Sequence, residues 1–315
     1  MATSGTTTWT INRNEIITAA LRKLRIINAA DTAPAADITT GAQALNAMVK
    51  SWQIKPSGAI NLWFDTEVCL FMEKGAASYA LGPSGGHCCR LSDAVVMKLT
   101  AAAAAGATVL AVDDNTGLSA ADYLGVELDD GTIQWSTQNG APAGSTGARM
   151  TATLTSAAAS GNYVFGYTTK IDRVKEILEA RVRDVNDADT PLNIVESRRQ
   201  FMAITDKTST GVVSDIYLSP AITNSVLYVW PTADDVQQRV IMTVRRICED
   251  FTGSANNFDG PPEALRALIF NLAVEIAPEY GAAVPQLVMA LAASSLADLE
   301  SFYRTREPVQ LFPGR

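Results

Sequence analysis

Apolar residues recur along the first part of the chain at the spacing of one helical face. Ile17, Ala20, Leu21, Leu24 and Ile27 lie three or four apart, with Asn12 ahead of them as a cap. After an Ala/Pro/Asp connector over residues 28–36, a second helix begins at Asp37. It places Ala42, Leu45, Met48, Val49 and Trp52 on one face and stops at Pro56-Ser57-Gly58. The pattern returns near the other end, where Leu265, Leu268, Ile269, Leu272 and Ile276 form a stripe. Gly260 is the expected N-cap, Pro261 and Pro262 suit a first turn whose N–H groups lack partners, and Pro278 and Gly281 close the helix. A last helix over residues 285–303 carries Val288, Leu291, Ala292, Ser295, Leu299 and Phe302 on one side. No such stripe buries itself alone, so the pattern predicts that all four pack together.

Between these helices the period changes to two. Phe64, Thr66, Val68, Leu70 and Met72 alternate with Asp65, Glu67 and Glu73, and residues 78–81 are the expected partner strand. Residues 92–169, rich in Ala, Thr and Gly, read as a module with strands at 108–113, 123–128, 132–136, 150–154 and 163–168. Asp129-Asp130-Gly131 predicts a type I′ hairpin turn, and residues 140–147 a loop. Further on, Val174, Leu178, Ala180 and Val182 mark a strand with partial alternation. A short helix over 197–206, strands at 214–218, 226–230 and 240–247, and a polar linker at 251–259 follow. The expected fold is α+β, a helical bundle from the N- and C-terminal helices with an inserted β domain that contains a nested small β-sandwich. Its parts are a helical hairpin at 1–60, a β domain at 61–91 and 170–258, the inner module at 92–169, a helical pair at 259–303 and an extended tail at 304–315.

Composition narrows the function. With 47% hydrophobic and 18% charged residues the chain folds rather than remaining disordered. Its net charge of −8 disfavours a protein whose task is to grip duplex nucleic acid. The N-terminus has neither the basic start nor the apolar core of a signal peptide, and no run is apolar over a membrane-spanning length. Cys69, Cys88, Cys89 and Cys248 show no disulfide-framework spacing and read as reduced thiols.

Gly82-Pro83-Ser84-Gly85-Gly86 matches the form of a nucleophile elbow, but His87 follows at once, and Cys88-Cys89 stand where that motif needs a helix. A glycine-rich loop is the plainer reading. His87-Cys88-Cys89 offers soft metal ligands, and Asp129-Asp130 and Asp184/Asp187/Asp189 offer oxygen ligands. None has the spacing of a known metal site, so no metal or cofactor is expected. Glu275 and Glu279 lie four apart on one helix, which fits a solvated face or a subunit contact better than a glycosidase pair. Arg181, Arg183, Arg198, Arg199, Arg239, Arg245 and Arg246 gather in the β region, where ion pairing within or between subunits is favoured over a nucleic-acid groove.

The pattern Pro262-Glu-Ala-Leu265, Asn271-Leu-Ala273 and Ala277-Pro-Glu-Tyr-Gly281, followed by an Ala-rich helix, resembles the C-terminal signature of the head-to-tail adaptor proteins of short-tailed phages. These are also called tail accessory factors or DNA-stabilisation proteins. The segment from Glu15 to Leu24, Ala44-Leu-Asn-Ala-Met48 and Ser51-Trp52 match the same family's first two helices. Gly125 to Gly131, Lys207, Tyr217 and Leu227-Tyr-Val-Trp-Pro231 fit between them. Ala264 departs from the family, which commonly carries Trp there. The resemblance implies a structural protein of the virion neck, assembled in the host cytoplasm and without catalytic activity. It implies a homo-oligomeric ring, usually dodecameric, under the portal protein. Such a ring extends the channel through which DNA passes without specific binding, and it carries distal nozzle, needle or fibre proteins. The C-terminal tail would reach the portal through Arg304, Arg306, Val309, Leu311, Phe312 and Arg315, while Glu275, Glu279, Arg245 and Arg246 are candidates for the ring interface. An acidic channel wall would let DNA slide. Two other readings compete: a virion-associated cell-wall hydrolase using carboxylates, and an adhesin that binds host glycan through residues 92–169.

Overall fold

The computed structural model describes residues 9–54 and 65–304, together with Gly5. In chain order the elements are α1 (Arg13–Lys23), α2 (Ala35–Ile54), β1 (Asp65–Phe71), β2 (Ser78–Leu81), β3 (Cys88–Arg90), β4 (Val95–Lys98), β5 (Val109–Ala111) and β6 (Tyr123–Glu127). Next come β7 (Ile133–Thr137), β8 (Gly147–Arg149), β9 (Tyr163–Tyr167), β10 (Val174–Arg183), β11 (Asp189–Pro191), β12 (Asn193–Ile194) and α3 (Arg198–Met202). The chain continues through β13 (Thr210–Gly211), β14 (Asp215–Ser219), β15 (Ser225–Trp230), β16 (Thr232–Ala233), β17 (Arg239–Arg246), α4 (Leu265–Ile276) and α5 (Gln286–Arg304). Seventeen strands in five sheets thus stand against five helices among the described residues, and the expected helical bundle with an inserted domain is overturned. The chain is mainly β. The apolar cores give the reason: one is helical, whereas three lie in the β region.

Two compact units form, one from Met1–Phe64 with Cys248–Arg315, the other from Asp65–Ile247. In the helical unit α1 starts at Asn12, whose side chain accepts from the Glu15 N–H at 3.0 Å while Glu15 accepts from the Asn12 N–H at 2.8 Å. This capping box satisfies two N–H groups that the helix leaves open. Ile16, Ile17, Ala20 and Leu21 are buried, and a Cβ at Gly41 of α2 would lie 2.5 Å from Ile17, so the two helices approach closely there. α4 touches α1, α2 and α5. Leu265, Leu268, Leu272 and Ile276 are buried and Ile269 partly so. The expected cap is displaced: Pro261 caps a 3₁₀ turn over Pro262–Ala264 that leads into α4, and Ala264 is fully buried. Gly281, at φ 58°, closes the turn after α4.

The expected polar linker at 251–259 is also corrected. Phe251 and Phe258 are buried and their rings stack at 6.2 Å. Asn46 clasps Phe251, accepting from its N–H at 2.9 Å and donating to its carbonyl at 3.4 Å. Lys50 reaches the Cys248 carbonyl at 2.6 Å and Asp250 at 2.8 Å.

The β unit is built around a five-stranded antiparallel sheet in the order β11-β10-β17-β1-β3. On one face Val68, Leu70, Met72, Val240, Met242 and Val244 meet Leu81, Ile216, Leu227 and Val229 of a second sheet, β12-β14-β15-β2. β2 therefore pairs with β15 and not with β1, contrary to expectation. On the other face Cys69, Phe71 and Cys89 meet Tyr163, Phe165 and Tyr167 of a third sheet, β4-β9-β6-β7. The far side of that third sheet, with the β5–β8 ribbon, encloses Met97, Leu110, Leu124, Val126, Met150 and Val164.

One local irregularity is explained and two expectations change. β10 carries two register shifts, which explains its broken alternation. The 128–132 turn has positive φ only at Gly131, so it is a type I turn followed by a left-handed glycine rather than type I′. Residues 150–154 are not a strand; the ribbon strand β8 lies just before them, beginning at the last residue of the expected loop. Leu62 and Phe64 lie outside the described residues.

Candidate functional site

Strand register sets Arg245 and Arg183 opposite acids, and side-chain reach brings Arg181, Arg239 and Arg246 to others. Arg245 on β17 faces Asp65 of β1, with Nε 2.9 Å from Oδ1, and reaches Glu176 of β10 at 3.2 Å. Arg183 holds Asp189 through two bonds of 2.8 and 2.9 Å. Arg181 bridges Asp189 and Glu67, each at 3.0 Å, and Arg239 meets Asp187 at 3.0 Å. Arg246 lies 4.0 Å from Asp172. The hydrogen bond from Arg183 holds the Asp189 carboxyl below the usual range, despite some desolvation. These arginines are met by carboxylates of the same chain. Each pair keeps contact with solvent and contributes about 1 kcal/mol or less. Arg198 and Arg199 are exposed on α3.

Of the other interface candidates, Glu275 is exposed on α4 and Glu279 on the turn after it. Arg304 ends α5, while Arg306, Val309, Leu311, Phe312 and Arg315 lie outside the described residues. No helix among the described residues is long and apolar enough to cross a membrane.

The glycine-rich loop is built for close approach. A Cβ at Gly85 would lie 2.2 Å from the Ala80 carbonyl oxygen. Ser84 accepts from the Asn224 amide at 2.9 Å, while His87 turns to Tyr167, its Nδ1 lying 2.7 Å from the phenol oxygen. The loop thus joins Ser84 and Asn224, and the chain's one histidine serves a different partner. Cys69 and Cys89 are cross-strand neighbours facing the aromatic core, whereas Cys88 faces the opposite core. Burial pushes the Cys69 thiol up to about 11 and raises Cys88 and Cys89 as well. The described residues contain no group of three His, Cys, Asp or Glu placed to hold a metal ion. Asp130 caps Thr132 at 2.9 Å, and Asp184 caps its own turn through Asn186 and Ala188, both at 2.8 Å.

What the structure does bring together is an aromatic cleft of about 400 Å³. It is lined by His87, Tyr123, Trp135, Ser136, Thr137, Thr151 and Ala152. The His87 ring lies flat on Trp135, centroids 3.7 Å apart and planes 3° apart, and Tyr123 stands nearly edge-on to His87 at 5.9 Å. On the other side of the indole, Gly125 makes room, since a Cβ there would sit 2.7 Å from the ring. Desolvation, then the nearby Lys170 charge, pushes His87 down to about 3, so the imidazole is neutral at physiological pH. Burial raises Tyr167, which keeps its proton beside the imidazole. Along β7 the Thr137 and Thr151 hydroxyls lie 3.0 Å apart, and Ser136 Oγ accepts from the Ala152 N–H at 3.0 Å.

Sequence reasoning missed Tyr123, Trp135, Tyr167 and the threonine pair as a group. The available signal was aromatic residues at alternate positions of Tyr163-Val-Phe-Gly-Tyr167, with Trp135 and Tyr123 on neighbouring strands of one module. No protein-family model and no curated protein sequence matches the chain.

Proposed function

We propose that the chain is a head-to-tail adaptor, a structural protein that forms a ring under a phage portal and extends the DNA channel. One observation carries this reading: the residues that bear the family resemblance also form the packing centre of the helical unit. Leu265, Leu272, Ala273 and Ala277 are buried, and Asn271 donates to the carbonyls of Ala267 at 2.8 Å and Ala292 at 3.2 Å, tying α4 to α5. Their partners are the N-terminal residues of the same signature, Ile16, Ile17, Leu21, Leu45, Met48 and Trp52. The terms of the resemblance, drawn from both ends of the chain, thus meet in one core.

The outer side of α5 supports a subunit contact. Leu287 and Met289 are exposed, and Ala290, Ala293, Ser294 and Ala297 beside them are small enough for close helix approach. In this reading the ring interface draws on Glu275, Glu279, Arg245 and Arg246, and residues 304–315 engage the portal.

Native mass spectrometry of the purified chain, with and without a portal protein, tests the proposal. The expected result is a ring on the portal, and deletion of residues 307–315 lowers the attachment while the fold stays intact. A chain that never associates with portal refutes the adaptor reading. Lysis of host peptidoglycan in a zymogram replaces it with the hydrolase, and normal attachment of the truncated chain removes the tail's role.

A further inference from the structure

We propose that Asn139 is a site of spontaneous covalent modification, its side chain closing on the Gly140 nitrogen to a succinimide that water opens to isoaspartate and aspartate. The Gly140 nitrogen bonds to Cγ of Asn139, and its proton leaves with the side-chain nitrogen as ammonia. Water then breaks one of the two imide C–N bonds. The step needs an uncrowded following residue, an attacking N–H and a side-chain amide that are not already engaged, and a segment free to bend. Asn139-Gly140 is the one Asn-Gly step in the sequence. Both residues are exposed, and the space where a Gly140 side chain would stand is open. Gly140 takes φ 68°, whereas Asn139 is not left-handed, so no type I′ turn locks the pair. Among the described residues no hydrogen bond engages the Asn139 amide group or the Gly140 N–H.

Competing positions are worse placed. Asn162 precedes the bulky Tyr163 and donates to the Glu127 carbonyl at 3.1 Å, and Asn224 precedes the buried Ser225 and donates to Ser84 at 2.9 Å. Asp130-Gly131 has the right spacing for the same ring, but the Thr132 hydroxyl and N–H, at 2.6 and 2.9 Å, hold the Asp130 carboxyl below its usual range, and an ionised carboxylate resists attack. The surroundings of Asn139 also suit the product. Gln138 bridges Met150, and the Asn139 N–H donates to the Arg149 carbonyl at 2.7 Å, so residues 139 and 149 stand directly opposite on neighbouring strands. The carboxylate formed at 139 therefore stands across from an exposed guanidinium. Opening to isoaspartate adds one carbon to the main chain just beyond that hydrogen bond, where the loop through the left-handed Gly140 and Gly144 takes up the length.

Incubation of the full chain at mildly alkaline pH tests this, read by peptide mapping in the mass spectrometer and by enzymatic methylation of isoaspartate. The expected result is the mass gain of deamidation in the peptide that holds Asn139, ahead of every other asparagine, with isoaspartate the larger product. Gly140→Ala crowds the attacking nitrogen and loses most of the conversion. Where alanine at this left-handed position disturbs the loop, the wild-type chain decides alone, incubated folded and in urea side by side. Asn139 that persists in the folded chain after the unfolded chain has converted, earlier conversion at another asparagine, or equal conversion in a folded Gly140→Ala variant overturns the proposal. Portal attachment plays no part in this experiment, so the two proposals fail independently.

Discussion

The sharpest consequence of the structure concerns His87, the one histidine of the chain. Its ring is stacked on Trp135 and bonded to Tyr167, and burial moves its pKa from 6.5 to about 3. Between those values the unfolded chain holds a proton on this imidazole and the folded chain does not. Stability contributed by the neutral ring is therefore complete above pH 6.5 and declines as pH falls through 6.5 toward about 3. One proton corresponds to about 1.4 kcal/mol per pH unit, or roughly 2.7 kcal/mol from pH 6.5 to about 4.5 if the ring were wholly screened from water. The ring lines an open cleft, so the expected loss is about 1–2 kcal/mol. Asp184 and Asp189 add little in this window. Asp184 and Asp189 titrate below the ordinary value of 3.8, and the stability they contribute is lost only as pH falls below it. Because there is a single imidazole, heteronuclear NMR follows its titration without assignment by mutation. Urea unfolding of the β unit, read through the Trp135 indole N–H resonance, gives the energy. In His87→Phe the stacked ring is kept and the slope between pH 6.5 and about 4.5 disappears, even though Tyr167 loses its partner. An imidazole that titrates near 6.5 in the folded chain, or an unchanged slope in His87→Phe, refutes the reasoning.

Other predictions follow from single positions. Leu272 is fully buried in the helical core, so Leu272→Ala costs about 2–5 kcal/mol, read from the denaturant midpoint of the helical signal; an unchanged midpoint means that this face is not core. Asn12→Ala removes half of the capping box and costs about 1 kcal/mol, with faster hydrogen exchange at the Glu15 amide. Gly125→Ala puts a Cβ into the Trp135 ring and costs about 1–3 kcal/mol; the His87 ring signals move with it, and unmoved signals contradict the stacking. Arg245→Gln changes stability by about 1 kcal/mol or less, because its partners Asp65 and Glu176 keep contact with water, and a loss of several kcal/mol shows that the arginine is buried in the assembled protein.

Periodicity made the helices legible. In α1, α2, α4 and α5 one face is apolar and the other wet, so Ile17, Leu45, Leu272 and Leu299 announce themselves by spacing alone. What spacing cannot report is how much of the chain's core each region owns, and there the fold class was misjudged. The segment at 251–259 misled for a related reason: its Asn, Asp and Gly residues form turns, while Phe251 and Phe258 alone carry it into the core. Strand pairing was less legible still. β2 follows β1 by a short loop, which suggests a hairpin, yet its hydrogen bonds go to β15, far along the chain. In the cleft, each aromatic residue on its own has an ordinary core explanation. Only the pairing of β6 with β7 and β9 gathers Tyr123, Trp135 and Tyr167, and the β2–β3 loop then adds His87 to them.

β1 shows why the inner module reads as an independent body when it is not. From Val68 to Phe71 every residue is buried, because Val68 and Leu70 face one neighbouring sheet and Cys69 and Phe71 the other. A strand covered on both faces loses the polar alternation that would mark one side as surface. The sequence of residues 92–169 therefore gives no sign that Tyr163, Phe165 and Tyr167 need Phe71 and Cys89 against them. Excised at those boundaries, the module exposes that aromatic face and leaves behind His87, the ring that covers Trp135. The β unit from Asp65 to Ile247 is the smallest piece that holds both sides of the aromatic contact together.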